Sequence, residues 1–137
     1  MAKKKEKDII ENIVNTNIRL NKVNAEKFPD VSADTDINVR TKEIFKYEIV
    51  SVENNIAVIK LISQIGFDPQ IFFNIELELI GEFYFKEAIT KEKVEKNIKS
   101  ILNFMANRVS FIVSFITREI LDQPYIIPPI VEKVSNE

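Results

Sequence analysis

KEKVEKNIKSILNFMANRVSFIVSFITREIL, residues 91–121, decides the architecture of this chain. Val94, Ile98, Ile101, Met105, Val109, Ile112, Ile116 and Ile120 recur at helical spacing, so the stretch reads as one long helix with a continuous apolar row. Phe104, Phe111 and Phe115 form a second row on another face. A helix lying on a small sheet needs one apolar stripe. Burying two takes the sheet on one side and a second surface on the other, which a second subunit would supply. Phe104, Arg108, Phe111 and Phe115 are therefore the candidate subunit contacts. Thr90 suits the N-cap of this helix, and Glu92 sits in its first turn, near the positive end of the helix dipole.

Strands precede the helix. Residues 12–23 read as a moderately apolar first strand, in which Thr16, Ile18 and Leu20 alternate with Asn17, Arg19 and Asn21. Residues 24–36 carry Pro29, Asp30, Ser32, Asp34 and Asp36, a loop composition. In the next strand Ile37, Val39, Thr41, Phe45, Tyr47 and Ile49 share one parity, and mostly polar residues fill the other, as a half-buried antiparallel strand requires. Asn54 and Asn55 mark a turn, because asparagine tolerates a left-handed backbone. Residues 56–65 are apolar on both parities and predict a central strand, broken by Gly66, Asp68 and Pro69. The fourth strand has the clearest period. Ile71, Phe73, Ile75, Leu77, Leu79, Phe83 and Phe85 line one face, with Gly81 in the row, where a bulge or a close backbone approach is expected. Pro124, Pro128 and Pro129 keep the chain extended after the helix. The order is β-β-β-β-α, an α+β fold in which a four-stranded antiparallel sheet is followed by one long helix packed on it.

Composition narrows the function. The 137 residues predict one domain, with residues 1–11 as a flexible basic tail, 12–131 as the domain and 132–137 as a short C-terminal tail. A chain of this size buries a core without covalent staples. It has no cysteine and no histidine, which removes disulfides, thiolate metal sites and Ser-His or Cys-His nucleophile pairs. The net charge of −2 argues against nucleic acid as a partner. The start MAKKKEK is basic but lacks the apolar stretch of a secretory signal. Lys99, Asn103, Asn107 and Arg108 argue against membrane insertion of the helix. A cytoplasmic protein without cofactor or metal is the expectation.

No catalytic constellation stands out. Glu76, Glu78 and Glu82 share a strand face and could act as paired carboxylates, but alternation alone predicts a solvated face. Asp30, Asp34 and Asp36 could ligate a hard cation, but the segment lacks the glycine and distal glutamate of a calcium loop. No glycine-rich phosphate loop and no serine nucleophile elbow is present, so the chain is not expected to be an enzyme. Phe67, Phe72 and Tyr84 are aromatics without an evident place in the core. With Ile44 and Ile80 they raise the prospect of an apolar patch for a partner, against coverage by the chain's own loop 24–36 or its proline-rich tail.

The order of elements and three segments resemble the SecB and SecB-like chaperone family. NIELELIGEFYF, residues 74–85, resembles that family's last strand, with Gly81 followed by Phe83. ILNFMANRVSFIVSFI, residues 101–116, resembles the opening of its long helix, with Ala106 and Arg108 near the family's Ala-Arg pair. PYIIPPI, residues 124–130, resembles the extended segment after that helix. The resemblance implies a dimer of dimers with long helices sandwiched between sheets. It also implies a holdase that binds unfolded polypeptide in apolar grooves without ATP, in protein export or for a dedicated client such as an antitoxin. Phe45, Tyr47, Phe67, Phe72 and Tyr84 are the candidate client contacts. The chain departs from classical members at Leu102–Met105, where a proline-containing aromatic stretch is usual. It also stops eight residues past Pro129, where they carry a second helix. A divergent, C-terminally shortened relative is the expectation. The alternative is an oligomeric scaffold or adaptor that shares the fold without chaperone activity, with a phage as one origin for such a protein; a third reading is an apolar-ligand carrier.

Overall fold

A computed structural model of the chain describes residues 9–29, 38–122, 124–127 and 135–136. After a helical turn at residues 9–11 come four long strands: β1 (Ile13–Lys27), β2 (Arg40–Glu53), β3 (Ile56–Asp68) and β4 (Phe73–Phe85). Two helices follow, α1 (Lys91–Lys96) and α2 (Ile98–Leu121), then a short strand β5 (Ser135–Asn136). The long strands pair antiparallel in the order β1-β4-β3-β2, and β5 lies parallel beside β2. The expected α+β fold, a four-stranded antiparallel sheet with a long helix packed on it, is the one observed.

The register follows the sequence period where burial is one-sided. Phe73, Ile75, Leu77, Leu79, Phe83 and Phe85 are all buried on the face of β4 that meets α2, and Ala57, Ile59, Leu61 and Ile65 do the same on β3. Small residues stand beside large ones: Phe83 is flanked by Ala57 and Thr16 across the ladders. Gly81 causes no bulge, and its register is unbroken on both sides. It serves close approach instead, since a Cβ there would lie 3.2 Å from the sulfur of Met105 and 2.8 Å from the ring of Phe83. Asn54 takes the left-handed conformation foreseen for the β2–β3 turn (φ 54°), and Asn55 ties that turn to β4 by donating to the Phe85 carbonyl at 2.9 Å.

Several boundaries differ from the sequence reading. β1 runs to Lys27 rather than ending at 23, because β4 offers backbone partners for Asn24–Lys27 down to Phe73. β3 continues through Gly66, where the missing Cβ leaves room for the Asn74 side chain and the Phe73 carbonyl. Ile71 is buried but precedes β4. Ile9, assigned to the tail from sequence, is buried in the core. Asp30, Asp34, Asp36 and the prolines at 128 and 129 lie outside the described residues.

The expected single helix is interrupted at Asn97, a buried residue outside helical geometry (φ −116°, ψ 22°). Its side chain donates to the Lys93 carbonyl at 2.8 Å and its own carbonyl accepts from Ile101. Such local bonding by asparagine competes with the helical ladder. Thr90 caps α1 as anticipated, its hydroxyl accepting from Lys93 N–H at 3.2 Å. Thr90→Ala is expected to lower stability by about 1 kcal/mol, read as a lower urea midpoint at unchanged slope.

The buried row of α2 is Ile98, Ile101, Leu102, Met105, Ala106, Val109, Val113 and Thr117. Ile112, Ile116 and Ile120, expected in that row, are only half-buried. The row shifts because the chain turns at Asp122 (φ 60°) and returns along α2, so that the Tyr125 N–H donates to Thr117 Oγ1 at 2.6 Å and Ser110 donates to the Ile127 carbonyl at 2.9 Å. The returning segment covers one flank of the helix and draws Val113 and Thr117 into the interior. By length and composition α2 would pass for a membrane span, yet these eight side chains are buried within the fold.

Candidate functional site

Among the described residues, most of the exposed large apolar side chains lie on two surfaces, with Val14 and Val50 apart from them. The first is an aromatic cluster at the β3–β4 end of the sheet. Phe67, on the inward parity of β3, meets Phe72 edge-on at 5.1 Å between ring centres, Phe73 at 5.3 Å and Tyr125 at 5.8 Å. Tyr125 also packs edge-on to Phe73 at 5.4 Å. Edge-to-face rings of this kind hold together by quadrupole attraction as well as burial. Phe72 has a left-handed backbone (φ 66°), which costs a side-chain-bearing residue about 1–3 kcal/mol. Its carbonyl accepts from Phe28 N–H at 2.9 Å, and the residue stays 42% exposed. Burial, with added repulsion from Glu43, pushes the Tyr125 phenol above its ordinary pKa.

The second surface lies between the free side of α2 and β1. Phe104, Arg108, Phe111 and Phe115 are exposed, Phe111 at 70% and Phe115 at 58%. Leu20 and Val23 of β1 stand opposite Leu79 and Leu77, whose side chains are buried under the helix layer. Residues directly opposite across an antiparallel pair share a face. Leu20 and Val23 therefore point to the core side of the sheet, yet they are 42% and 49% exposed. Among the described residues, no element covers this half of the inner sheet face. Further along the helix, Phe104 packs edge-on to the buried Phe83 at 6.1 Å. It also borders a shallow open groove of about 320 Å³ lined by Ile10, Ser100, Asn103 and Asn107.

The structure brings some sequence candidates together and separates others. Phe67 and Phe72 touch. Phe45 and Tyr47 lie on the same sheet face, opposite Ser63 and Leu61; Phe45 is buried and Tyr47 half-buried. Tyr84 is at the other end of β4, paired with Ile56, on the outer face. Its hydroxyl donates to Glu82 at 3.1 Å, and that hydrogen bond, more than the nearby charge, raises its pKa. The outer-face glutamates behave as a solvated sheet surface: Glu82 pairs with Arg19 at 3.1 Å, and Glu78 with Lys60 at 3.7 Å. Among the described residues no cluster of acidic residues could hold a metal ion. Sequence reasoning missed Phe73 and Tyr125 as cluster members, and Leu20 and Val23 as uncovered. Phe73 had a complete explanation as core. The strand-like alternation of β1 gave no sign that the helix would not reach its far half.

No protein-family model matches the chain, and no curated protein sequence does. Solved structures do. A Mycobacterium tuberculosis SecB-like chaperone, determined in complex with a ChAD peptide from the HigA1 antitoxin, superposes with a TM-score of 0.69. It is 11% identical, and the match covers 93% of this chain and 97% of that one. A protein of unknown function from Streptococcus agalactiae gives a TM-score of 0.52 at 12% identity, covering 83% of this chain and 97% of its own. At these identities the likeness is one of fold, and the fold is SecB-like.

Proposed function

We propose that this chain is a divergent SecB-like holdase of the cytoplasm. It binds non-native polypeptide without ATP, in protein export or for a dedicated client such as an antitoxin. The observation that carries this reading is the half-open aromatic cluster of Phe67, Phe72, Phe73 and Tyr125, set on a SecB-like sheet. A non-native client exposes apolar side chains and unpaired backbone together. Aromatic walls accept the first with little sequence preference, and a sheet edge accepts the second. Phe67, Phe72 and half-buried Tyr47 would serve the client along the inner face, whereas Phe45 is buried in the core and would meet a client only if the layer over it opened. Tyr84 would be met only by a client long enough to pass to the outer face.

Self-association completes the proposal. The exposed row Phe104, Arg108, Phe111 and Phe115, with uncovered Leu20 and Val23, fits a second copy, as a dimer or a dimer of dimers. The same row supports a second reading, an oligomeric scaffold or adaptor without client activity. Light scattering separates the two. With a thermally unfolding enzyme such as citrate synthase, the holdase is expected to suppress aggregation at a near-stoichiometric ratio. Unchanged scattering with several such enzymes would leave only the scaffold.

A further inference from the structure

Phe72 occupies a backbone position that disfavours a large side chain. It directly precedes β4, and across it the Phe73 N–H donates to the Ile71 carbonyl at 2.7 Å. With φ at 66°, this three-residue loop is a γ-turn of the rare, strained kind. Glycine takes such a conformation freely, and asparagine tolerates it. The strain persists because the surroundings fix the backbone from several sides. Ile71 and Phe73 are buried, and the Phe72 carbonyl accepts from the Phe28 N–H. None of these anchors uses the Phe72 ring.

The ring contributes little to the interior in exchange. Phe67 and Tyr125 pack against the hydrophobic core and Phe73 belongs to it, whereas Phe72 lies outside it. Among the described residues, Phe67, Phe73 and Tyr125 each meet at least two other rings, and Phe72 meets Phe67 alone, at an interplanar angle of 80°. Phe72 is thus the terminal ring of an edge-to-face series, and with Phe67 it forms a right-angled corner. A strained backbone that carries an exposed ring is accounted for when the ring acts outside the fold. We infer that Phe72 is the specificity-determining contact of the cluster, and that the Phe67–Phe72 corner takes one large apolar side chain of an extended, non-native polypeptide. The γ-turn holds the ring in place before the client arrives, which lowers the ordering cost of binding. This rests on the polypeptide-binding reading above. It adds which residue makes the decisive contact, and why the fold retains a strained phenylalanine where glycine would be more stable.

Two substitutions at this one position separate backbone from ring. Phe72→Ala and Phe72→Gly both remove the ring, and only glycine relieves the left-handed backbone. Where φ is negative, alanine is the more stable of the two. Here the glycine variant is expected to unfold at the higher urea midpoint, with the slope unchanged. The binding probe is reduced, carboxymethylated α-lactalbumin, a permanently unfolded polypeptide, read by fluorescence anisotropy. Both variants are expected to bind it about ten-fold more weakly than the unmodified chain, or weaker still. Thr90→Ala, beyond the other end of β4, is the stability control. It is expected to lose midpoint and keep its affinity. A smaller loss of affinity in Phe72→Gly would overturn the inference alone. So would an alanine midpoint at or above that of glycine, or a loss of affinity in Thr90→Ala equal to that at Phe72. Absence of binding by the unmodified chain would overturn the polypeptide-binding reading along with it.

Discussion

Sedimentation of the Phe111→Glu variant is expected to show a shift toward the single chain, with the fold intact. Phe111 is 70% exposed on α2, so the substitution removes little from the interior of one subunit. In an assembly that buries this row, the new carboxylate would be enclosed without a partner, at about 3–5 kcal/mol. That corresponds to roughly two to three and a half orders of magnitude in the dissociation constant. Phe115→Glu, one turn along the same face, is expected to act in the same direction. Sedimentation unchanged in a variant whose circular dichroism is also unchanged would detach this row from self-association. The uncovered Leu20 and Val23 would then need another occupant.

Phe83→Ala is expected to be the most damaging single truncation in the core. The ring is fully buried, touches Phe104, and crowds the space over Gly81 that Met105 also enters. Truncating a buried phenylalanine costs about 3–5 kcal/mol, through lost transfer energy and the cavity left behind. For a chain of this length that lowers the melting temperature by on the order of 10–15 °C. Phe104→Ala, on the partly exposed side of the same ring pair, is expected to cost clearly less. Equal shifts for the two would mean that Phe104 is covered in solution, and would join this measurement to the sedimentation experiment.

What could be read from the residues follows from where burial is one-sided. β4 shows a strict period of two because one face meets α2 and the other meets solvent, so its inner row was legible residue by residue. In β2 only Phe45 of the expected inner row is buried, with Tyr47 and Ile49 half-buried and Thr41 exposed; the β2–β3 turn and the Thr90 cap were legible because asparagine's left-handed backbone and helix capping are local. Asn97 was not, since its effect depends on a side-chain bond to the Lys93 carbonyl and on its burial. The shift of the α2 row toward Val113 and Thr117 depends on the returning segment, a long-range contact that helical spacing does not encode. β1 misled most. Register shifts between Ile13 and Asn15 and between Leu20 and Lys22 reset which side chains face inward, and period counting fails across such a point. In the aromatic cluster, Phe67 and Phe72 were noticed because they lacked a core role. Phe73 had one, and Tyr125 joins through the fold-back of the chain.

The strand order has a consequence for how the chain is made. β2, β3 and β4 follow one another as hairpins, and each finds its neighbour as soon as it is synthesised. β1 is different: Lys27 pairs with Phe73 and Ile13 with Phe85, so the first strand to leave the ribosome waits for the last of the four. At about 5–20 residues per second that wait lasts several seconds. Closing so distant a pair is also the slow kind of contact in a refolding chain. The nascent protein therefore carries its own unzipped strand through translation, and slow docking of β1 onto a preformed three-strand meander is the expected last step of its maturation.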